Sequence, residues 1–156
     1  MKKKLFGIIL LGVLVPGLAG CEVNYPELKD DAIAFDMGEY IDEGNDNAGY
    51  GTIVYNGRTY MPYGTIKNSI KSKDIKECIG YIIQNENSSS IVDLDDKDTR
   101  VYTLAEDHNE NYLMIYYIGT ALMNQPDFWR AVDTKSSEID TPNYIGSSDY
   151  GFWFVY

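Results

Sequence analysis

Carboxylates that could hold calcium are concentrated at residues 93–98, which read Asp-Leu-Asp-Asp-Lys-Asp. An EF-hand loop also needs glycine at its sixth position and glutamate at its twelfth. Counted from Asp93, those positions hold Asp98 and Leu104. The run therefore indicates a solvated loop, with a weak extracellular calcium site as the alternative. Residues 42–47 give a weaker form of the same signal.

A zinc site or an acid–base pair would use a second group of side chains: Glu106, Asp107, His108 and Glu110. Zinc takes three or four ligands at defined spacing, and His108 is the one histidine of the chain. Asparagines stand at positions 109 and 111. The stretch is therefore more typical of a polar hairpin tip, and we assign no metal ligands.

Nucleophilic catalysis by a thiol would have to use Cys78, since Cys21 is the residue that directly follows the predicted cleavage point of the N-terminal segment. A catalytic thiol needs a base such as histidine, and His108 is far along the chain. Cys78 precedes an apolar run, where cysteine usually behaves as a small buried hydrophobe. The sequence also lacks G-x-S-x-G, a phosphate-binding glycine loop and C-x-x-C, so we assign no catalytic residue and no cofactor. Two distant carboxylates would leave no such motif.

Aromatic residues are abundant, with 14 tyrosines, 5 phenylalanines and 2 tryptophans. On strands such rings usually pack in cores and cross-strand pairs. A surplus on one open face would instead make a platform for sugars or peptide. The residues we expect on such a ligand-binding platform are Tyr60, Tyr63, Trp129 and Arg130.

The first 21 residues have the three parts of an export signal. Lysines occupy positions 2–4, residues 5–15 are apolar, and residues 18–21 read Leu-Ala-Gly-Cys. The apolar run is shorter than the roughly 20 residues of a membrane-spanning helix. The segment resembles the signal peptide and lipobox of bacterial lipoproteins. That resemblance implies cleavage before Cys21, diacylglycerol and a further acyl chain such as palmitate on that residue, and anchoring to the extracytoplasmic side of the cell membrane.

The charge of the chain bears on its partners. Without the three leader lysines, 10 basic residues face 24 acidic ones, a formal charge of −14. Such a surface repels nucleic acids and anionic lipid headgroups and keeps a protein soluble. We therefore expect a monomer that binds no nucleic acid, with an envelope protein or glycan as its possible ligand and lipid on Cys21 as its link to the membrane.

The element pattern predicts a mainly β protein: a single small antiparallel sandwich or curled sheet with at most one or two short helices. We divide the chain into a signal peptide (1–20), a lipidated flexible tether (21–49) in which the Phe35 piece can dock as an edge strand, and one β-rich domain (50–156). A short helix is predicted at residues 71–77. Strands are predicted at residues 51–55, 58–63, 79–84, 100–104, 112–118 (central), 128–133 and 151–156.

Residues 54–62 read Val-Tyr-Asn-Gly-Arg-Thr-Tyr-Met-Pro and predict a β-hairpin. Asn-Gly accepts positive φ at both positions of a type I′ turn, and Pro62 should end the second strand or place it at an edge. The run resembles the repeated hairpin of copper-amine-oxidase N-terminal-like modules on Gram-positive surface proteins, although Tyr63-Gly64 replaces their usual Leu-Arg. This resemblance implies a non-catalytic surface module.

Two functional classes follow from these observations. The favoured one is a lipid-anchored, non-enzymatic binding or interaction module at the outer face of the membrane. The alternative is a small cell-envelope hydrolase that uses carboxylates. Three or more carboxylates in one deep cleft would indicate the enzyme, whereas a shallow aromatic face would indicate binding.

Overall fold

The computed structural model describes residues 23–43, 48–83, 97–119, 125–148 and 150–153. These ranges are mainly β, as predicted, and their helices are three short 3₁₀ turns: η1 (Ser72–Asp74), η2 (Val132–Thr134) and η3 (Gly151–Trp153). None of these turns has the length and apolar character needed to cross a membrane. The strands are β1 (Ile33–Asp36), β2 (Gly38–Asp42), β3 (Ala48–Tyr55), β4 (Arg58–Ile66), β5 (Ile75–Ile83), β6 (Thr99–Leu104), β7 (Tyr112–Tyr117), β8 (Asp127–Ala131) and β9 (Ile145–Ser147).

All nine strands belong to one curled, open sheet in the order β1-β5-β6-β7-β8-β4-β3-β2, with β9 also paired to β4. Neighbouring strands are antiparallel except β1 and β5, which are parallel. The predicted curled sheet is therefore confirmed, and the strand predicted at 112–118 is central, between β6 and β8. The two end strands, β1 and β2, are joined by Met37 alone. This short link brings the two ends of the sheet together.

The β3–β4 hairpin has the predicted turn. Tyr55 pairs with Arg58, and the turn residues Asn56 and Gly57 have φ of 49° and 74°. The prediction for Pro62 is wrong, because β4 continues to Ile66 and lies inside the sheet. Pro62 is tolerated there because the pairing with β3 has ended at Tyr60, and the pairing with β9 begins only at Gly64.

Apolar side chains are buried on both faces of the sheet. The inner core lies within the curl, since both β1 and β3 contribute to it; it includes Phe35, Ile53, Tyr60, Leu113 and Trp129. The outer core lies on the opposite face and is covered by the N-terminal segment and by the chain around Tyr144. Its buried members include Cys78, Tyr102, Tyr112, Met114, Phe128 and Tyr144.

The predicted boundary between tether and domain at residue 50 is wrong. Val23 packs against the outer core, and the ring of Tyr25 stacks on Tyr116 with centroids 4.2 Å apart. Further along, β1, β2 and the first residues of β3 all precede position 50. Phe35 docks in an edge strand, as expected, and is 3% exposed. The described residues before position 50 are folded because they pair with and pack on the sheet, and their own composition cannot indicate those partners.

Two other element predictions need correction. In place of the helix at 71–77, residues 72–74 form η1 and β5 begins at Ile75, which pairs with Leu104. The inward direction of Ile75 is confirmed by its burial. In place of a strand at 151–153 the chain forms η3, and residues 154–156 lie outside the described ranges.

Candidate functional site

Tyr60 and Trp129, two of the four expected platform residues, lie in the inner core and are 0% and 7% exposed. The Tyr60 hydroxyl donates a hydrogen bond of 2.6 Å to the carbonyl oxygen of Glu110, and burial raises the pKa of Tyr60 to about 12. A ligand cannot reach rings that point into the curl. The prediction that these two residues bind a ligand is therefore wrong, because alternation along β4 and β8 turns them inward.

Tyr63 and Arg130, the other two, are half-buried on the opposite face of the sheet, and they are in contact. The guanidinium carbon of Arg130 lies 5.4 Å from the ring centroid of Tyr63 and 5.2 Å from that of Trp153. The Trp153 indole N–H donates to the carbonyl oxygen of Pro62 at 2.6 Å, which fixes that ring. The structure thus assembles one cation and two aromatic rings, a favourable cation–π arrangement.

Neutral acceptors orient Arg130. Its Nε donates to the Thr134 hydroxyl at 2.8 Å, and its Nη2 donates to the carbonyl oxygens of Thr134 and Ser137 at 2.6 and 3.1 Å. The Thr134 hydroxyl in turn donates to the carbonyl oxygen of Ala131. Within the described ranges, no ion pair neutralises Arg130. The side chain is therefore held in place with its charge uncompensated by a carboxylate there.

Tyr63 is also a wall of an open cleft of about 690 Å³, which we call the Tyr63 cleft. Lys67 is the single charged side chain of its described lining, and no carboxylate lines it there. Hydroxyl and amide groups make up much of the remaining surface. The lining consists of Tyr63, Thr65, Ile66, Lys67, Asn68, Thr141, Pro142, Asn143, Ile145, Gly146 and Ser147.

Two elements position the cleft, the end of β4 and the segment that leads into β9. Lys67 N donates to the carbonyl oxygen of Tyr144 at 2.8 Å, and Asn68 Nδ2 donates to that of Asn143 at 2.6 Å. Gly64 is required at the crossing with β9, because a Cβ there would collide with the carbonyl oxygen of Gly146. The cleft walls are therefore tied together by one backbone hydrogen bond and one from the Asn68 side chain.

The group around His108 forms the loop between β6 and β7 and has a structural role. An Asp107 carboxylate oxygen accepts a hydrogen bond of 2.6 Å from the backbone N–H of Tyr112. Arg58 Nη1 donates to the carbonyl oxygens of Asn109 and Glu110 at 2.8 and 2.9 Å. In the part of the chain that the structure describes, no three His, Cys, Asp or Glu side chains lie close enough together to hold a metal ion. Residues 93–96 and 44–47, the cores of the two acidic runs, lie outside it.

Cys78 is the small buried residue that the sequence predicted. It is 2% exposed in the outer core, its sulfur lies 3.6 Å from the carbonyl oxygen of Gly80, and burial raises the pKa of its thiol. A raised pKa and burial both reduce the reactivity of a thiol. Cys78 is therefore placed for packing.

Sequence reasoning missed Trp153 and Phe152, because the aromatic run at 151–156 predicts a strand. The ring centroid of Phe152 lies 5.3 Å from that of Tyr40 and 5.9 Å from that of Tyr50. The Nζ of Lys135 lies 3.8 Å from the Phe152 ring centroid. The run did mark an aromatic concentration. It could not show that a 3₁₀ turn would fold its rings back onto β2, β3 and β4.

The hairpin at residues 54–62 is present, and the turn at Asn56 and Gly57 accounts for its geometry. The structure therefore confirms the hairpin. It adds no further support to the resemblance of residues 54–62 to copper-amine-oxidase N-terminal-like modules. In comparisons with known proteins, no family model matches the chain, and no curated protein or solved structure matches it either.

Proposed function

We propose that this chain is a bacterial lipoprotein, anchored to the outer face of the cell membrane, whose β domain binds an envelope glycan without cleaving it. The observation that carries the glycan proposal is the Tyr63 cleft. It combines an aromatic wall with hydroxyl and amide groups and has no carboxylate in its described lining. Binding sites of this kind set a few polar groups against an apolar wall, and they use the polar groups to orient the ligand.

A sugar fits this surface for two chemical reasons. The C–H face of a pyranose ring packs on an aromatic ring, and Tyr63, which is in cation–π contact with Arg130, supplies such a ring in the lining of the cleft. Sugar hydroxyl and N-acetyl groups pair with neutral donors and acceptors such as those of Thr65, Asn143 and Ser147. The positive charge of Lys67 adds a preference for neutral or acidic sugars over basic ones.

Hydrolysis of a glycan usually needs a pair of carboxyl groups on either side of the scissile bond. The described lining of the Tyr63 cleft supplies neither one. The lack of carboxyl groups in this lining favours a binding function over the carboxylate hydrolase that was the alternative prediction.

The anchor is supported by the leader alone, in which a basic start, a short apolar run and Leu-Ala-Gly-Cys stand in order. Cleavage before Cys21 would leave its thiol and new amino group to carry lipid, and the segment from Val23 onward already packs on the sheet. The domain would therefore sit close to the bilayer surface. In a Cys21→Ser variant we expect unprocessed precursor, and in the native protein we expect an acyl mass on Cys21 by mass spectrometry. An unmodified Cys21 in the native protein would refute the anchor.

The glycan proposal is tested by isothermal titration with soluble oligosaccharides of N-acetylated amino sugars. We expect Tyr63→Ala to weaken binding at least about tenfold. Loss of one aromatic stacking contact costs about 1.4 kcal/mol, which corresponds to a tenfold change in affinity. The matched control is Tyr81→Ala, since Tyr81 is also half-buried but lies on β5, four strands from β4 in the sheet.

Two results would contradict this proposal. Equal losses in the two tyrosine variants would show that the cleft is not the site. Shortening of the oligosaccharides during incubation with the wild-type protein would show an enzyme.

A further inference from the structure

We infer that the open seam between β1 and β3 is a binding site for an extended peptide rich in basic and apolar residues. The seam is a groove of about 370 Å³ lined by residues 33–38 together with Thr52 and Val54. It lies where the two ends of the curled sheet meet, away from the lining of the Tyr63 cleft, and the inference does not rest on the glycan proposal. The peptide would bind by adding a strand to the sheet.

Backbone groups at the seam are available for strand addition. β1 pairs with β5 on one edge, and in β3 residues 53–55 pair with β4 on one edge. The pairing of β2 with β3 stops at Thr52. Within the described ranges, no backbone hydrogen bond fills the opposite edges of these two segments. Unfilled N–H and C=O groups on a sheet edge form a template for another strand.

Apolar side chains are exposed along the same groove. Ile33 and Met37 are each 43% exposed, and Val54 is 60% exposed, the largest value among the exposed large hydrophobic residues of the described ranges. Met37 lies beside Gly51 on the face of β3 that also carries buried Ile53, and Val54 points to the opposite face. Both faces of an added strand would therefore meet exposed apolar residues. The groove thus offers apolar contact and backbone pairing together.

The charge of this part of the chain defines the partner. From Asp30 through Gly57 the sequence has seven acidic residues and no lysine or arginine, and one of them, Asp36, lines the groove itself. A basic strand would be attracted by this negative charge, whereas a second copy of this chain docking in the same way would bring like charges together. The occupant we propose is therefore a segment of another protein in which basic and apolar residues alternate.

The test uses the full chain and a fluorescent peptide of about nine residues in which lysine and valine alternate, a length typical of a strand. We expect saturable binding with a Kd on the order of micromolar, and Val54→Lys should weaken it at least about tenfold. Ile118→Lys makes the same change at an exposed isoleucine outside the groove and should leave the affinity within about twofold. Amide shifts in NMR spectra should map to residues 33–36 and 53–55.

A second peptide separates strand pairing from simple charge attraction. It has the same sequence with alternate backbone nitrogens methylated, which removes the donors needed for pairing and keeps every side chain. We expect this peptide to lose binding. Equal binding of the two peptides, or equal affinities of Val54→Lys and the wild type, would overturn the inference. Binding of the chain to phosphatidylcholine vesicles that is lost in Val54→Lys, without peptide binding, would also overturn it and assign the groove to lipid.

Discussion

Arg58 and Asp133 form a two-point ion pair that connects the start of β4 with η2 after β8. Nε and Nη2 of the guanidinium donate to the two carboxylate oxygens at 3.0 and 2.8 Å. The same guanidinium donates to the carbonyl oxygens of Asn109 and Glu110 and to the side-chain oxygen of Asn111. Arg58 therefore holds the β6–β7 loop as well as the ion pair.

We expect Arg58→Met to destabilise the fold by about 1–3 kcal/mol, since carbonyl oxygens of the β6–β7 loop lose their charged donor. Asp133→Asn should cost less than about 1 kcal/mol, because exposed ion pairs contribute little and the Asp133 side chain is 61% exposed. Urea unfolding of both variants measures the two costs. If Asp133→Asn lowers the free energy of unfolding as much as Arg58→Met, the stabilising effect of Arg58 comes from the ion pair and not from its contacts with the β6–β7 loop.

The ion pair also predicts a dependence of stability on pH. The hydrogen bond from Arg58 lowers the pKa of Asp133 below its ordinary value of 3.8. A lowered pKa in the folded state stabilises the fold above the unfolded pKa, and this contribution is lost as pH falls through the folded pKa. Stability of the wild type should therefore fall more steeply below about pH 4 than that of Asp133→Asn. Parallel curves of unfolding free energy against pH for the two proteins would contradict this.

The turn of the β3–β4 hairpin requires glycine at position 57 for its backbone conformation, and not because a side chain would lack room there. Gly57 has φ of 74°, and nothing lies within 4 Å of where its Cβ would be. We expect Gly57→Val to cost about 1–2 kcal/mol because a β-branched residue resists positive φ. Gly57→Asn is the matched control and should cost less, since asparagine tolerates this conformation. Equal thermal unfolding temperatures for the two variants would argue against strain at this turn.

The N-terminal segment should be required for stability. A chain that begins at residue 22 keeps Tyr25 on Tyr116 and Phe35 in the inner core, whereas one that begins at residue 50 loses both. Loss of the Phe35 contact alone should cost about 1.5–3 kcal/mol. We expect the shorter chain to unfold at a lower temperature, as measured by circular dichroism. Similar melting curves would restore the predicted tether.

The elements that the sequence predicted correctly are those set by local pattern. The Asn-Gly turn needs no distant partner, and the strand at 112–118 is apolar on both faces because both cores lie against it. Ser72 and Ile75 fitted the start of a helix, but pairing of Ile75 with Leu104 makes the segment a strand. Pairing across 29 positions cannot be read from neighbouring residues.

The site was harder to predict than the strands. Trp129 and Arg130 are adjacent, so alternation requires that they face opposite sides of the sheet. Both faces of this sheet carry buried apolar residues, so the alternation of side chains along β8 could not indicate whether Trp129 or Arg130 remains accessible. Tyr63 and Arg130, two of the four residues expected on one face, are in contact, and Trp153 joins them only because η3 folds back onto β4.

Met37 separates two strands whose partners lie at very different distances along the chain. Gly38 of β2 pairs with Thr52, whereas Ile33 of β1 pairs with Gly80, which is synthesised only after β3 and β4. The entropy lost on closing a loop grows with its length, so we expect the β2–β3 pair to form before β1 docks on β5. We therefore expect β1, which comes first among the described strands, to be among the last to dock, and Phe35 to hold it in the inner core once it has docked.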